Sequence, residues 1–120
     1  MQKKRNEKNM KIKIGSKNIV VEVKKLSSLG MARGLMFRRR EKASALLFEF
    51  SKPVSFHLTS LFVFFPFLVL WLDKKNKVIA KKRVNPWVSS ISSPIKSYYK
   101  ILEIPINKKY RREIKLLDES

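Results

Sequence analysis

His57 is the only histidine in the chain, and there is no cysteine. Metal sites draw three or four ligands from His, Cys, Asp and Glu, so a zinc site would have to be built almost wholly from carboxylates. No metal is therefore expected. The lack of Cys also removes disulfides and thiol nucleophiles, leaving the chain indifferent to redox compartment. An imidazole titrates near neutrality and can serve as acid or base. His57 sits beside Phe56 in an apolar stretch, and with no sequence neighbour to identify a substrate atom, a structural hydrogen bond or the lining of a small pocket accounts for it better. The enzyme or small-ligand alternative uses Arg33, Arg38, His57 and Trp87 around such a pocket, with Arg33 or Arg38 holding an anionic substrate. Among the carboxylates, Asp73 reads as a turn residue, while Glu49 and Glu103 alternate with apolar neighbours and read as surface groups. Gly34 stands alone, so neither a phosphate-cradling loop nor a dinucleotide fingerprint is present, and no cofactor is expected.

Charge is the stronger signal. The 120 residues carry 28 Lys and Arg against 9 Asp and Glu, a net charge of +19. Such a charge promotes encounter with nucleic acid or an anionic lipid surface through counterion release, without reading any sequence. Arg38, Arg39 and Arg40 form the densest cluster, and Lys81, Lys82 and Arg83 form a second. Guanidinium groups grip phosphate with two donors, so these six residues are the candidate polyanion patch. Lys108, Lys109, Arg111 and Arg112 extend it, and Trp87, Tyr98, Tyr99 and Tyr110 offer surfaces on which bases stack. The plainer readings are a solvated helix end for the arginines, a lysine-biased composition for the charge and core or rim packing for the aromatics.

These groups must be positioned by a fold, and the apolar block Phe56 to Leu72 decides which kind. A membrane-spanning helix needs about 20 mainly apolar residues. The block is shorter, holds His57, Thr59 and Ser60 near its start, and has Pro66 inside it. Two short strands meeting at Pro66 suit it better, because Phe, Val and Trp favour strands and Pro is tolerated at a strand's first residue. No transmembrane helix is expected; the alternative is membrane association through residues 56–72 with lysines on both flanks. The start of the chain has no apolar core of signal-peptide length, so the cytoplasm is the expected location.

The chain length suits one domain. Residues 1–10 read as a basic, disordered head and 11–120 as a single β-rich domain. Alternation on both sides of Gly15-Ser16 predicts a hairpin over Met10 to Lys24. A short helix follows, started by Ser27 or Ser28 and ended at Gly34. Ala45 to Phe50 reads as a strand stopped by Ser51-Lys52-Pro53, and Val54 to Leu58 as another. Phe67 to Leu72 and Lys77 to Val84 form a second hairpin around Asp73 to Asn76, with its first strand central because both faces are apolar. Asn85 to Pro94 reads as a surface loop, Tyr98 to Ile104 as a strand, and Lys108 to Arg112 as one helical turn. The fold class is mainly β (α+β), a compact antiparallel sandwich or barrel-like domain with one short helix after the first hairpin.

Several segments in order, ARGLMFR at Ala32 to Arg38, ALLFEF at Ala45 to Phe50, FHLTSLFVFFPF at Phe56 to Phe67, Leu72-Asp73, NPW at Asn85 to Trp87 and LEIP at Leu102 to Pro105, resemble domain-of-unknown-function family 192, in its archaeal style. The resemblance covers about residues 17–118 and implies a compact, mainly β domain with a small helix, and no known activity. The chain departs from the family at telling points. Pro66 is followed by Phe67-Leu68 where the family usually has an Asp second, Asn107 stands where a Gly usually follows LEIP, Leu117-Asp118 stands for a closing Gly-Asp, and Met31 replaces a common basic residue. No site that depends on the missing carboxylate transfers here. The sequence favours a non-enzymatic binding or accessory module and leaves its oligomeric state open.

Overall fold

A computed structural model describes residues 7–26, 35, 38–55, 63–88 and 90–120. Strands β1 (Glu7–Ile14) and β2 (Lys17–Lys25) form the predicted first hairpin, paired from Glu7↔Lys24 to Ile14↔Lys17. Gly15, at φ 59°, supplies the positive φ that a two-residue turn needs at its first position. Met10 and Ile12 point inward while Lys11 and Lys13 stay in water, so simple alternation fixes the register. The strand begins at Glu7, which draws Glu7 to Met10 out of the expected arm and into the sheet.

Strand β3 (Ala45–Val54) runs on through Pro53 rather than stopping at Ser51. Its pairing with β6 (Tyr98–Pro105) shifts between Glu49 and Val54, and Pro is accommodated at such an irregularity because the ladder asks nothing of its missing N–H. The strand expected from Val54 to Leu58 is thus in part the end of β3, and Phe56 to Leu58 lie outside the described residues, as does the helix expected after the first hairpin.

Strands β4 (Phe67–Leu72) and β5 (Val78–Val84) form the second predicted hairpin. In the turn, the Asp73 carboxylate accepts from the N–H groups of Lys75 (2.8 Å) and Lys77 (2.9 Å), and Asn76 takes a φ of 65°. Pro66 sits just before the first residue of β4, as its missing donor requires. The sheet order is β1-β2-β3-β6-β4-β5, with every pairing antiparallel except β2–β3, which is parallel over Val23↔Ala45 to Lys25↔Leu47. The sheet is a curled half-barrel, and its borders approach each other where Lys13 bridges to Lys77 and its N–H donates to the Asn76 carbonyl at 3.0 Å.

Helix α1 (Arg111–Asp118), led in by a 3-10 turn at Lys108–Tyr110, is longer than the single turn expected. It buries Tyr110, Ile114 and Leu117 against an inner core of Met10, Ile12, Val21, Leu47, Leu68, Leu70, Leu102 and Ile104. The outer face of the sheet is covered too. Phe48, Phe67, Val69, Trp71 and Ile101 pack there beneath Leu35, Val63, Phe65 and Ile91. Every residue of β4 is buried because it serves both layers, the leucines inward and Phe67, Val69 and Trp71 outward. Among the described residues, no helix is long and apolar enough to cross a membrane.

Candidate polyanion-binding surface

The residues expected to do chemistry fall into three places. The first is an open cleft of about 390 Å³ where the segment before β3 meets the start of the C-terminal helix, with Arg40, Lys108 and Arg111 at its mouth and Ile106 and Ile114 as its apolar part. A buried Asn107 builds it. Its Nδ2 donates to the carbonyls of Arg40 (2.7 Å) and Ala43 (3.0 Å), and its Oδ1 accepts from the Tyr110 N–H at 3.3 Å. The side chain therefore caps the 3-10 turn that leads into the helix and holds the arginine segment at once. Asn107 has φ −140°, so this position does not ask for the glycine common in the resemblance.

Two further bonds set the charges of the cleft. Arg40 Nε donates to the Ile106 carbonyl at 2.7 Å, which fixes the guanidinium stem and keeps the group at the rim. Glu41, the carboxylate of the cleft, accepts from the Lys108 N–H at 2.9 Å, an orphan donor at the helix start. From this end a cationic stripe runs down the exposed face of the helix. Lys108, Arg111, Arg112 and Lys115 are all exposed at spacings of three, four and seven residues, which places them on one side.

The second place is the far end of that helix. Lys81 is half-buried and its Nζ donates to the carbonyls of Leu117 (2.5 Å) and Ser120 (2.8 Å), closing the helix C-terminus where cations are favoured. Arg83 lies 4.0 Å from Asp118. Lys82 alternates to the outer face, opposite Val69, and is exposed. Arg40 and the pair Lys81 and Arg83 are therefore held near opposite ends of α1, whose eight residues span about 12 Å. They are joined by the helix stripe. Arg38 is half-buried and its N–H reaches the Leu35 carbonyl at 3.3 Å, whereas Arg39 is exposed.

The third is aromatic. Trp87 follows β5 at a φ of 65°, is 53% exposed and meets Phe64, 57% exposed, with ring centroids 5.5 Å apart and planes inclined at 62°. Arg33 and His57, the remaining members of the expected ligand set, lie outside the described residues. Tyr110 is a core residue whose hydroxyl accepts from the Ala45 N–H and donates to the Glu22 carbonyl. Its burial raises its pKa, against the opposing effect of the Ala45 hydrogen bond. Burial works against the Lys109 ammonium, but its 3.0 Å bond to Glu22 and the attraction of Tyr110, Glu22 and Glu7 together outweigh this and raise its pKa.

Glu103 corrects the sequence reading. It does point away from Leu102 and Ile104, yet the outer face is covered as well, and the residue is only 5% exposed. Desolvation pushes its pKa up to about 8. Among the described residues, its Oε1 and the Trp71 Nε1 are buried without hydrogen-bond partners. Glu103 pairs across to Val69, so Trp71, two residues further along β4, is its diagonal neighbour on the same face. Leu68, where the resemblance has a carboxylate, is packed in the inner core. No group of three or more His, Cys, Asp or Glu residues suited to a metal ion occurs among the described residues.

The model of the family described as Uncharacterized ACR, DUF192, matches residues 10–119. Two solved structures are similar. One is a protein of unknown function from Novosphingobium aromaticivorans DSM 12444, with a TM-score of 0.69 at 16% identity over 88% of this chain and 77% of that one. The other, from Sinorhizobium meliloti 1021, is described provisionally as a transcription regulator, and has a TM-score of 0.69 at 17% identity over 82% and 79%. Identities this low show a shared fold alone. No curated protein matches.

Proposed function

This chain belongs to domain-of-unknown-function family 192, and we propose that it acts as a non-enzymatic binding module whose basic helix face takes up polyanions in the cytoplasm. One observation carries the reading. Arg111, Arg112 and Lys115 on α1 and Lys108 in its lead-in turn form one exposed row, and Arg40 continues them across the cleft, while the carboxylate there, Glu41, is engaged with the Lys108 backbone. The apolar side of this helix is spent on the inner core. What it offers a partner is charge at regular spacing, which suits a row of phosphates.

Titration against a labelled single-stranded RNA, a DNA duplex and phosphatidylserine vesicles at several salt concentrations tests this. Affinity for a polyanion should fall linearly on a log–log plot, and Arg111→Glu with Arg112→Glu should reduce the salt slope by about two. The same charge change made on the first hairpin, Lys11→Glu with Lys17→Glu, should have a much smaller effect. Equal losses from both pairs would reduce the binding to overall charge and sink the reading.

A further inference from the structure

We infer that the polyanion is a single-stranded nucleic acid, with a base stacking on the Phe64–Trp87 pair while its phosphates lie along Arg40, Lys108 and Arg111. This inference rests on the polyanion reading above. Its own support is where the topology brings chain ends together. Phe67 is the register partner of both Val84 and Pro105, so the start of β4 and the ends of β5 and β6 meet at one end of the sheet. Phe64 precedes that point by three residues, Trp87 follows it by three, and the cleft residue Ile106 comes directly after β6. The Ile106 N–H donates to the Pro66 carbonyl at 3.1 Å. Phe64 is two residues from Pro66, within about 7 Å by chain reach. The aromatic pair and the cationic cleft thus border the same end of the sheet, where a strand passing over that end would meet both.

Single-strand binders combine a basic track with aromatic rings, because every base has a face to stack. The described residues supply both, and the two rings are more than half exposed while touching each other. Trp87 also holds a left-handed φ that residues with a Cβ rarely adopt, a strained conformation of the kind that gathers at binding sites. A row of cations beside an exposed pair of rings matches the alternating phosphates and bases of a strand, which favours a nucleic acid strand over a lipid surface.

Binding of a fluorescein-labelled ten-nucleotide oligothymidylate, of a ten-unit abasic strand with the same phosphates, and of vesicles of phosphatidylcholine and phosphatidylserine tests the inference on the full chain. Oligothymidylate should bind about tenfold or more tightly than the abasic strand, and Trp87→Ala should lower its affinity about 5- to 100-fold while leaving the abasic strand and the salt slope unchanged. Trp87→Phe, which keeps a ring, should retain most of the binding, and Phe64→Ala should weaken it with the fold intact by circular dichroism. Equal affinity for the two strands overturns the stacking inference and leaves the polyanion reading standing. No binding to either strand overturns both. Vesicle binding that depends on Trp87 more than oligothymidylate binding does overturns the inference in favour of a membrane surface.

Discussion

The hydroxyl of Tyr110 accepts a 2.8 Å hydrogen bond from the buried N–H of Ala45 and donates one of 2.7 Å to the carbonyl of Glu22. Ala45 opens β3 and Glu22 lies in β2, so one side chain from the lead-in to α1 spans the parallel junction of the sheet. That junction joins only three residue pairs in register, and the phenol reinforces it. Tyr110→Phe should cost about 1–3 kcal/mol, because it leaves two backbone groups unsatisfied without opening a cavity. The shift of the urea midpoint measures it, and amide exchange at Ala45 should quicken in the variant.

How far this fold could be read in advance depended on which face of a strand was in question. The two hairpins were legible because Gly15-Ser16 and Asp73 to Asn76 carry turn chemistry between alternating runs. The length of α1 was not, since Ile114 and Leu117 are spaced for a helix amid a basic tail whose charges obscure them. The parallel β2–β3 pairing is a tertiary choice that no local pattern encodes. The burial of Glu103 was missed for a related reason: alternation tells which way a residue points, not whether a second layer covers that side. Of the candidate surface, Arg40, Lys108, Arg111 and Arg112 were visible as charge. Lys115, Asn107 and Phe64 gained meaning only once the helix start and the end of the sheet were in place.

Glu103 should make stability depend on alkaline pH. Its carboxyl is neutral in the fold up to about pH 8, against an ordinary value of 4.5. The folded state therefore holds a proton that the unfolded chain has lost across that window. The contribution is whole below about pH 4.5, falls at up to about 1.4 kcal/mol per pH unit between the two values, and is gone above pH 8. Denaturant midpoints at pH 6 and pH 9 should differ by less in Glu103→Gln, which keeps the shape and cannot ionise. An unchanged pH slope in that variant would assign the effect to another group.

Asp73→Ala should destabilise the chain by about 1–2 kcal/mol, since it removes the acceptor shared by the N–H groups of Lys75 and Lys77. Asp73→Asn keeps an acceptor oxygen and should recover most of the loss. Thermal unfolding of the three proteins at one pH decides it.

Lys81→Met should cost about 0.5–1 kcal/mol by uncapping the carbonyls at the end of α1. Because this ammonium faces the helix end, the same variant should lower polyanion affinity less than Arg111→Met does. Paired unfolding and binding measurements on the two variants check both halves of the statement.

The bridge from Lys13 to Lys77, with its bond from the Lys13 N–H to the Asn76 carbonyl, has a bearing on how copies of this chain coexist. Open sheets polymerise when a border strand of one molecule recruits the border of the next. Here the tip of β1 is occupied by the molecule's own opposite margin, and its outward side chains Lys11 and Lys13 repel a like-charged neighbour. A visiting strand would have to evict an intramolecular partner before it could dock at that tip, so crowding at high concentration meets a barrier there written into the curl of the sheet.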